Sequence, residues 1–437
     1  MIANCNKMSY NRVRTIHETL IINAERGKFM RDCFDNRVEY AIDIIWFNSG
    51  SGNGEEALRG LQEAAGEGDG DACYFLARCY SGPRFVDPCF GFARDEAAAR
   101  EWYNKSIELG SAVGMLGAMR VDGFKPQCGD FVHAPYASKR EVWNRVMEMA
   151  QSGQLFCRYM IANAYYYGDA VELAGLRLSG QADACALLRK AAQIYEEVLE
   201  AGMILCVGNL IDILTSGKQG MPVDIERAKY WEEKAAERGV AFYEMKVAER
   251  LTRTQPDKAM ELYRRAAEHG DADGYLELGK MYSYCSRNGK NLQTAKEYFE
   301  KAIALNPDAI GPYNRLGEIY FKGGEGMEPD YAAAAECFLK VIDRNSWSSD
   351  MLGYCYLHGL GVPVDYAKAK KLLEKYPGEL LSCAGLGEIY AYGLGVPADI
   401  SKAMTYWNRY PQDPLIAEHR KQFERTLFGW KKTTKVS

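Results

Sequence analysis

Apolar residues recur at helical spacing in short blocks that glycines separate, and one block near the C-terminus shows this pattern clearly. Leu386, Gly387 and Tyr390 lie within one turn of each other and form one face of a predicted helix. Gly387 carries no side chain, so a neighbouring helix can approach it closely. Gly393 and Gly395 follow, and glycine accepts the left-handed geometry of a helix C-terminus. The pattern predicts an amphipathic helix, here called helix A, that ends at a glycine pair.

A second predicted helix, helix B, follows after a short extended segment. Asp399 can cap this helix, and Ala403 is the small residue at which helix B meets helix A. The same pattern occurs one period earlier, because Gly353 precedes Gly387 by 34 residues (387 − 353). A fixed period of this length predicts a solenoid of stacked helical hairpins.

The blocks at 351–369 and 385–403, and the helix-B segment at 225–239, resemble the Sel-one-like repeat family, a relative of the tetratricopeptide repeats. The family unit reads roughly A-x-x-x-L-G-x-x-Y-x-x-G-x-G-V-x-x-D-x-x-K-A, followed by an aromatic residue and K-A-A-x-x-G. The resemblance implies an all-α, right-handed α-solenoid of helix-turn-helix repeats that serves as a scaffold or adaptor. It implies no catalytic residue, because the signature positions of the family are structural.

The pattern divides the chain into three parts. Residues 1–35 are predicted as an N-terminal helical cap, and residues 36–410 as about ten repeats. Residues 411–437 are predicted as a capping helix over 411–428 followed by a basic tail. Units two to four carry long inserted loops, at 81–95, 122–138 and 168–182.

Composition narrows the classes of partner and compartment. The net charge of −5 and the pI of about 5.8 argue against general affinity for nucleic acid, which needs a basic surface. The most apolar stretch, 201–214, is broken by Asn209 and Asp212 and is too short to span a membrane. No basic region followed by an apolar run opens the chain, and the 13 cysteines fall irregularly. We therefore expect a cytoplasmic protein with reduced, buried thiols.

Motifs that could carry chemistry fail on their context. The glycine-rich segment 50–54 has no strand before it and no lysine after it, so it does not match a phosphate-binding loop. The acidic pairs at 69–71 and 271–274 lack the downstream ligands of a calcium loop and are interpreted as helix caps. The five histidines lie scattered, without metal-ligand spacing. We therefore predict no metal, no cofactor and no catalytic residue.

The tyrosine at the signature position of helix A is predicted to be a core residue. It recurs as Tyr80, Tyr165, Tyr282, Tyr320, Tyr356 and Tyr390.

The other face of helix A is the predicted binding surface. In tetratricopeptide-like arrays, the positions two, and five or six, after the signature leucine face the concave groove. Tyrosines among mixed charges suit protein recognition. The predicted partner-binding residues are Phe85, Phe90, Phe92, Phe124 and Phe131 in the long loops, and Asn163, Tyr166, Tyr167, Asp212, Glu249, Arg253, Lys280, Tyr284, Glu318, Phe321, Lys322, Tyr354, His358, Glu388 and Tyr392 on or next to helix A.

The sequence thus favours a scaffold that binds a protein or peptide partner in this groove, with specificity in the N-terminal half. Two other functions stay open at this point. One is an enzyme with a cryptic site in the N-terminal inserts, and the other is a purely structural spacer, since any solvated helix face carries similar residues.

Overall fold

The computed structural model describes residues 34–47, 53–82, 92–118, 136, 138–284, 291–324, 326–426 and 429–432. The chain divides into two compact units, residues 1–232 and residues 233–437. Within each unit, helices that follow one another in the described sequence pack as A and B partners of helical hairpins.

The helices that begin in the first unit are α1 (Asn36–Ile42), which continues as a π-helical segment (Asp43–Phe47), α2 (Gly54–Gly66), α3 (Gly70–Tyr80), α4 (Glu96–Glu108), α5 (Ala112–Ala118), α6 (Lys139–Gln151), α7 (Leu155–Tyr167), α8 (Asp169–Leu173), α9 (Gln181–Glu200), α10 (Val207–Ser216) and α11 (Ile225–Glu237), with 3₁₀ turns at Ile204–Cys206 and Lys218–Gly220. The predicted loop at 168–182 therefore contains a short helix, α8.

The elements of the second unit are α12 (Ala241–Leu251), α13 (Pro256–Glu268), α14 (Ala272–Tyr284), α15 (Leu292–Leu305), α16 (Ile310–Lys322), α17 (Tyr331–Val341), α18 (Ser346–His358), α19 (Tyr366–Leu373), α20 (Leu380–Tyr392), α21 (Ile400–Trp407), α22 (Pro414–Arg420), β1 (Phe423–Thr426) and β2 (Gly429–Lys432). The helices of the ten predicted repeats are, in order, α1/α2, α3/α4, α5/α6, α7/α9, α10/α11, α12/α13, α14/α15, α16/α17, α18/α19 and α20/α21, and this numbering is used below.

Aspartate caps and left-handed glycines set the ends of the helices in repeats nine and ten. The Asp365 carboxylate accepts a hydrogen bond from the Lys368 amide, and Asp399 accepts one from Lys402, each at 2.9 Å. Gly393 and Gly395 both have φ of +69°, a conformation that side chains disfavour. The start of helix B and the end of helix A thus follow from the residues that predicted them.

The close approach expected at the signature glycine is present. A Cβ atom on Gly387 would overlap the indole ring of Trp407 on α21. That indole N–H donates to the Ala384 carbonyl at 3.2 Å, so the ring lies flat against helix α20. The glycine makes room for the largest side chain of its own helix B.

The prediction that every signature tyrosine is a core residue is wrong. Tyr390 is buried, but Tyr320 and Tyr356 are only partly buried. A lysine covers each of the two partly buried rings, with the Lys296 Nζ atom 5.0 Å from the Tyr320 ring centre and the Lys368 Nζ atom 5.2 Å from that of Tyr356. The lysine stem supplies apolar cover while its ammonium group stays in water, so the ring needs no deeper burial.

The first unit is not a simple stack of neighbours. Phe156 of repeat four lies 5.7 Å from Trp46 of repeat one and 4.7 Å from Phe75 of repeat two, measured between ring centres. The Arg78 guanidinium lies 5.1 Å from the Phe156 ring within this aromatic group. Repeats one, two and four therefore share one core, although a solenoid repeat usually contacts only its neighbours.

The C-terminal segment differs from the predicted capping helix over 411–428 and basic tail. Helix α22 ends at Arg420, and the strand Phe423–Thr426 pairs with Gly429–Lys432 as an antiparallel hairpin. Phe423 is buried, 5.9 Å from the Trp407 ring. The strand places Phe423 over a face of repeat ten that a further repeat would otherwise cover. The predicted N-terminal cap, 1–35, lies outside the described residues except for Phe34 and Asp35, whose carboxylate caps α1.

Candidate groove on the helix-A face

The predicted groove residues on or next to helix A differ widely in exposure. Tyr167 is 60% exposed, and Glu249, Arg253, Lys322 and His358 are also exposed. The partly buried members are Tyr166, Asp212, Lys280, Glu318, Phe321, Tyr354 and Tyr392. Asn163 and Glu388 are buried. The prediction that these positions face the groove therefore does not hold for every residue.

Most of the predicted loop residues lie outside the part of the chain that the structure describes. They are Phe85, Phe90, Phe124 and Phe131, and the side chain of Tyr284 on helix A is also outside the described residues. Phe92 is described and is partly buried.

In the first unit, a tyrosine–aspartate pair links the A helices of repeats four and five. The Tyr166 hydroxyl donates to the Asp212 carboxylate at 2.6 Å, and Lys218 pairs with the same carboxylate. Burial together with Asp212 raises the pKa of Tyr166 to about 12. Burial alone would raise the pKa of Asp212, but the hydrogen bonds from Lys218 and Tyr166 hold it below its usual value. Tyr167 extends this group toward solvent, its ring 4.7 Å from that of Tyr166.

Asn163 joins the same two repeats from below the surface. Its Oδ1 atom accepts a hydrogen bond from the Tyr195 hydroxyl at 2.7 Å and another from Asn209 at 3.3 Å. A buried amide held in this way is a structural link, because its acceptor is used inside the protein.

In the second unit, the A helices of repeats eight to ten and helix α22 carry a group of neighbouring side chains, here called the C-terminal cluster. Its members are Phe321, Tyr354, His358, Glu388, Tyr392 and His419. The rings of Phe321 and Tyr354 lie 6.5 Å apart and those of Tyr354 and His358 4.2 Å apart, and Glu388 and His419 link this group to Tyr392.

Glu388 lies at the centre of the C-terminal cluster between two histidines. The His358 Nε2 atom is 3.5 Å from one carboxylate oxygen, and the His419 Nε2 atom is 3.1 Å from the other. The Tyr392 hydroxyl lies 3.1 Å from His419 Nδ1. The Glu388 side chain is only 5% exposed, so it faces the two imidazoles and not a ligand.

A second carboxylate near the C-terminal cluster is held in the same way. Glu318 accepts hydrogen bonds from Arg315 at 2.9 Å and from Lys322 at 2.7 Å. Burial opposes ionisation of Glu318, but these two bonds outweigh it and lower the pKa of the carboxyl. Glu318 is therefore charged and already paired on both sides.

Sequence reasoning missed three of the residues that complete these groups: Lys218, His419 and Lys432. Lys218 and His419 pair with carboxylates, and the Lys432 Nζ atom lies 5.3 Å from the Tyr392 ring. A signal for His419 was present, because His358, Glu388 and His419 follow one another at intervals of 30 and 31 residues, close to one repeat.

The arrangement of Tyr392, His419 and Glu388 resembles the hydroxyl–imidazole–carboxylate order of a nucleophile and its base. Burial raises the pKa of Tyr392, which is the opposite of what an activated nucleophile needs. The three groups join α22 to α20, so their role is to fix the C-terminal segment on repeat ten.

Within the described ranges, no group of three or more His, Cys, Asp or Glu side chains is placed to hold a metal ion. Among the helices in that same part of the chain, none combines the length and apolar character needed to cross a bilayer.

Comparison with known families agrees with the helical hairpins. The family model for the Sel1 repeat matches residues 70–111, 212–240, 251–271, 272–307, 313–346, 350–375 and 380–409. The chain belongs to the Sel1 repeat family. The matched segments of this Sel1 repeat protein include the helices that carry the C-terminal cluster, except α22.

Solved structures with a similar fold include two Sel1-type proteins. A protective antigen present in uropathogenic Escherichia coli strains, which displays an SLR fold, is 23% identical over 88% of this chain and 86% of that chain, with a TM-score of 0.48. A Sel1 repeat protein from Oxalobacter formigenes is 19% identical over 84% and 98%, with a TM-score of 0.43. No curated protein sequence matches the chain. At these values neither structure bears on what this Sel1 repeat protein binds.

Proposed function

We propose that this Sel1 repeat protein is a scaffold that binds a protein or peptide partner on the helix-A faces of its repeats. The observation that carries the proposal is that groove-side residues of successive A helices contact one another, as Tyr166 does with Asp212 and Phe321 with Tyr354. Within each unit, such contacts join neighbouring repeats into a shared surface of aromatic and charged groups. Tyrosine offers a large contact area at low entropic cost.

The first unit contributes Tyr167 to this function. Its ring is 60% exposed and is supported by Tyr166, which is itself fixed by its hydrogen bond to Asp212. A large amphipathic side chain that is both exposed and held in place suits partner recognition. The rival functions, an enzyme in the N-terminal inserts or a spacer, have no comparable observation in their favour among the described residues.

The test compares two exposed tyrosines. Tyr167→Ala should abolish capture of the partner from the native cell, as measured by quantitative mass spectrometry. Tyr230→Ala on helix B is the matched control, because Tyr230 is 52% exposed and also contacts an adjacent aromatic ring. Both variants should keep their melting temperature, since surface changes usually cost less than about 0.5 kcal/mol. If Tyr167→Ala captures the same proteins as the unmodified chain, the groove of the first unit does not bind them.

The thiols support a cytoplasmic location for this function. Every cysteine within the described residues is buried and unpaired with another cysteine, for example Cys79, whose pKa burial raises to about 12. Such thiols neither react readily nor form disulfides. Denatured protein prepared without reductant should therefore show 13 reactive thiols per chain in a colorimetric assay. A count near one would place the protein in an oxidising compartment instead.

A further inference from the structure

We infer that the C-terminal cluster, together with Lys322 and Lys432, binds an extended acidic segment of the partner protein. This inference rests on the proposed scaffold function and specifies its ligand chemistry in the second unit.

The first argument is the balance of charge. The surface has three cations, namely Arg315, Lys322 and Lys432. It has two carboxylates: Glu318, which pairs with Arg315 and Lys322, and Glu388, which lies beside the two histidines. With both histidines counted as neutral, these three cations and two carboxylates carry a charge of +1. The neighbouring Glu418 does not alter this balance, because Lys421 pairs with it at 3.1 Å. The surface is thus locally basic on a chain whose net charge is −5.

The second argument is which groups a partner can reach. The Glu388 side chain is 5% exposed and lies within ion-pair distance of both histidines, and that of Glu318 is 22% exposed and accepts hydrogen bonds from Arg315 and Lys322. Lys322 is 67% exposed and has three N–H groups, of which one bonds to Glu318. The accessible polar atoms are mainly donors, so complementary charge calls for carboxylates on the partner.

The third argument is spacing. Lys322 lies on α16 and His358 on α18, the A helices of consecutive repeats, and packed helices lie about 10 Å apart. An extended peptide rises about 3.3 Å per residue. Two acidic side chains three positions apart can therefore reach Lys322 and His358 at once. Phe321 precedes Lys322 in the sequence, and its ring contacts that of Tyr354, which contacts His358, so an apolar residue is expected between the two acids.

The experiment uses fluorescein-labelled synthetic peptides and the full chain, with binding followed by fluorescence anisotropy. One peptide has glutamates at every third position and a phenylalanine between the first two. A second has the same composition with its glutamates adjacent, and a third has lysines in place of the glutamates. We expect the first to bind tightest, the third to bind about tenfold more weakly or not at all, and rising salt to weaken the first.

Variants assign the contact to Lys322. Lys322→Glu should weaken the first peptide about tenfold and restore binding of a peptide in which a lysine replaces only the first glutamate. Lys229→Glu on α11 is the control, because Lys229 also pairs with a nearby glutamate, Glu226, in the first unit. The control should bind all peptides as the unmodified chain does, and the melting temperatures of both variants show whether they fold.

Three results would overturn the inference. They are equal binding of the acidic and lysine peptides, equal loss of binding in both variants, and tighter binding of a single-stranded oligonucleotide of the same charge than of the acidic peptide. The scaffold function itself would stand if a captured partner bound the chain through a segment that is not acidic. It would fail if captured proteins were the same for the unmodified chain, Tyr167→Ala and Lys322→Glu.

Discussion

A side chain is absent where helix A meets the aromatic residue of its own helix B. Gly279 faces Phe299 in repeat seven, Gly317 faces Phe338 in repeat eight, and Gly387 faces Trp407 in repeat ten. In each case a Cβ atom would overlap the ring. The ring on helix B is Phe in two of these repeats and Trp in the third, but the residue that faces it is glycine in all three. The glycine and the ring therefore pack as a pair.

This contact predicts the cost of adding one carbon atom. Gly387→Ala should lower the free energy of unfolding by more than about 1 kcal/mol, because the Trp407 ring must move and its bond to the Ala384 carbonyl is strained. The control is Gly60→Ala in the interior of α2, where the nearest atom would lie 3.5 Å away on Arg37. Alanine there should raise stability by about 0.5–1 kcal/mol through helix propensity. Calorimetric melting of both variants tests the pair, and equal shifts would contradict it.

Residue patterns predicted the contacts within a repeat and missed those between repeats. The roles of Gly387 and Asp399 follow from their own backbone, so the sequence pattern contains them. The partner of Glu388 does not follow from any local rule, since His419 reaches it from a helix that the repeat motif does not include. For the same reason, the pattern could not show that Arg78 is enclosed by rings from repeats one, two and four.

At the scale of elements, hydrogen bonds between buried side chains tie one helix A to the next. The Ser382 hydroxyl on α20 donates to Asp350 on α18 at 2.7 Å, and Ser111, just before α5, donates to Asp71 on α3 at 2.5 Å. Burial raises the pKa of both aspartates to about 6. A carboxylate in this hydrogen bond lowers the stability of the folded chain at neutral pH, because it must then be charged inside the protein.

The raised pKa of Asp350 gives stability a defined pH dependence. Since an unfolded aspartate has a pKa of about 3.9, the native chain binds more protons than the unfolded one between about pH 4 and pH 6. The contribution of Asp350 to the free energy of unfolding therefore falls as pH rises through this window, by no more than about 3 kcal/mol.

Asp350→Asn removes this effect while keeping an oxygen that can accept from Ser382. The variant should melt at a higher temperature than the unmodified chain at pH 7.5, and the difference should shrink toward pH 4. Asp365→Asn is the opposite case, because hydrogen bonding to the Lys368 amide lowers the pKa of Asp365 and favours its charged form. That variant should gain no stability at pH 7.5. An Asp350→Asn difference that does not change with pH would contradict the prediction.

The helices of the repeats were easier to predict than the segment that ends them. Caps and glycines mark each helix of repeats nine and ten, whereas 411–428 carries no such motif beyond Asp413 at the start of α22. The hairpin after α22 depends on the packing of Phe423 against Trp407, which is a tertiary contact. A sequence that lacks turn signals of its own gives no means to distinguish this strand from a continued helix.

At the scale of the whole molecule, the packing of repeats within the first unit differs from the packing of repeats within the second. In the second unit, Phe299 packs in a core shared by repeats seven and eight, with Leu276, Leu316 and Cys337 around it. In the first unit, Phe156 contacts repeats one and two from repeat four. The second unit should therefore open repeat by repeat, as a solenoid does, whereas much of the first should open as one cooperative body.

Two phenylalanine truncations distinguish these behaviours by hydrogen exchange. Phe156 and Phe299 are both fully buried, so each change to alanine should cost about 3–5 kcal/mol. Phe156→Ala should reduce amide protection in the π-helical segment Asp43–Phe47, in α3 and in α7 together, because rings from the first two pack against Phe156 on α7. Phe299→Ala should reduce it in α14, α15 and the adjoining α16, while α20 and α21 stay protected. If the loss in Phe156→Ala is confined to α7, the rings of Trp46 and Phe75 do not couple the repeats, and the first unit is a stack of independent neighbours like the second.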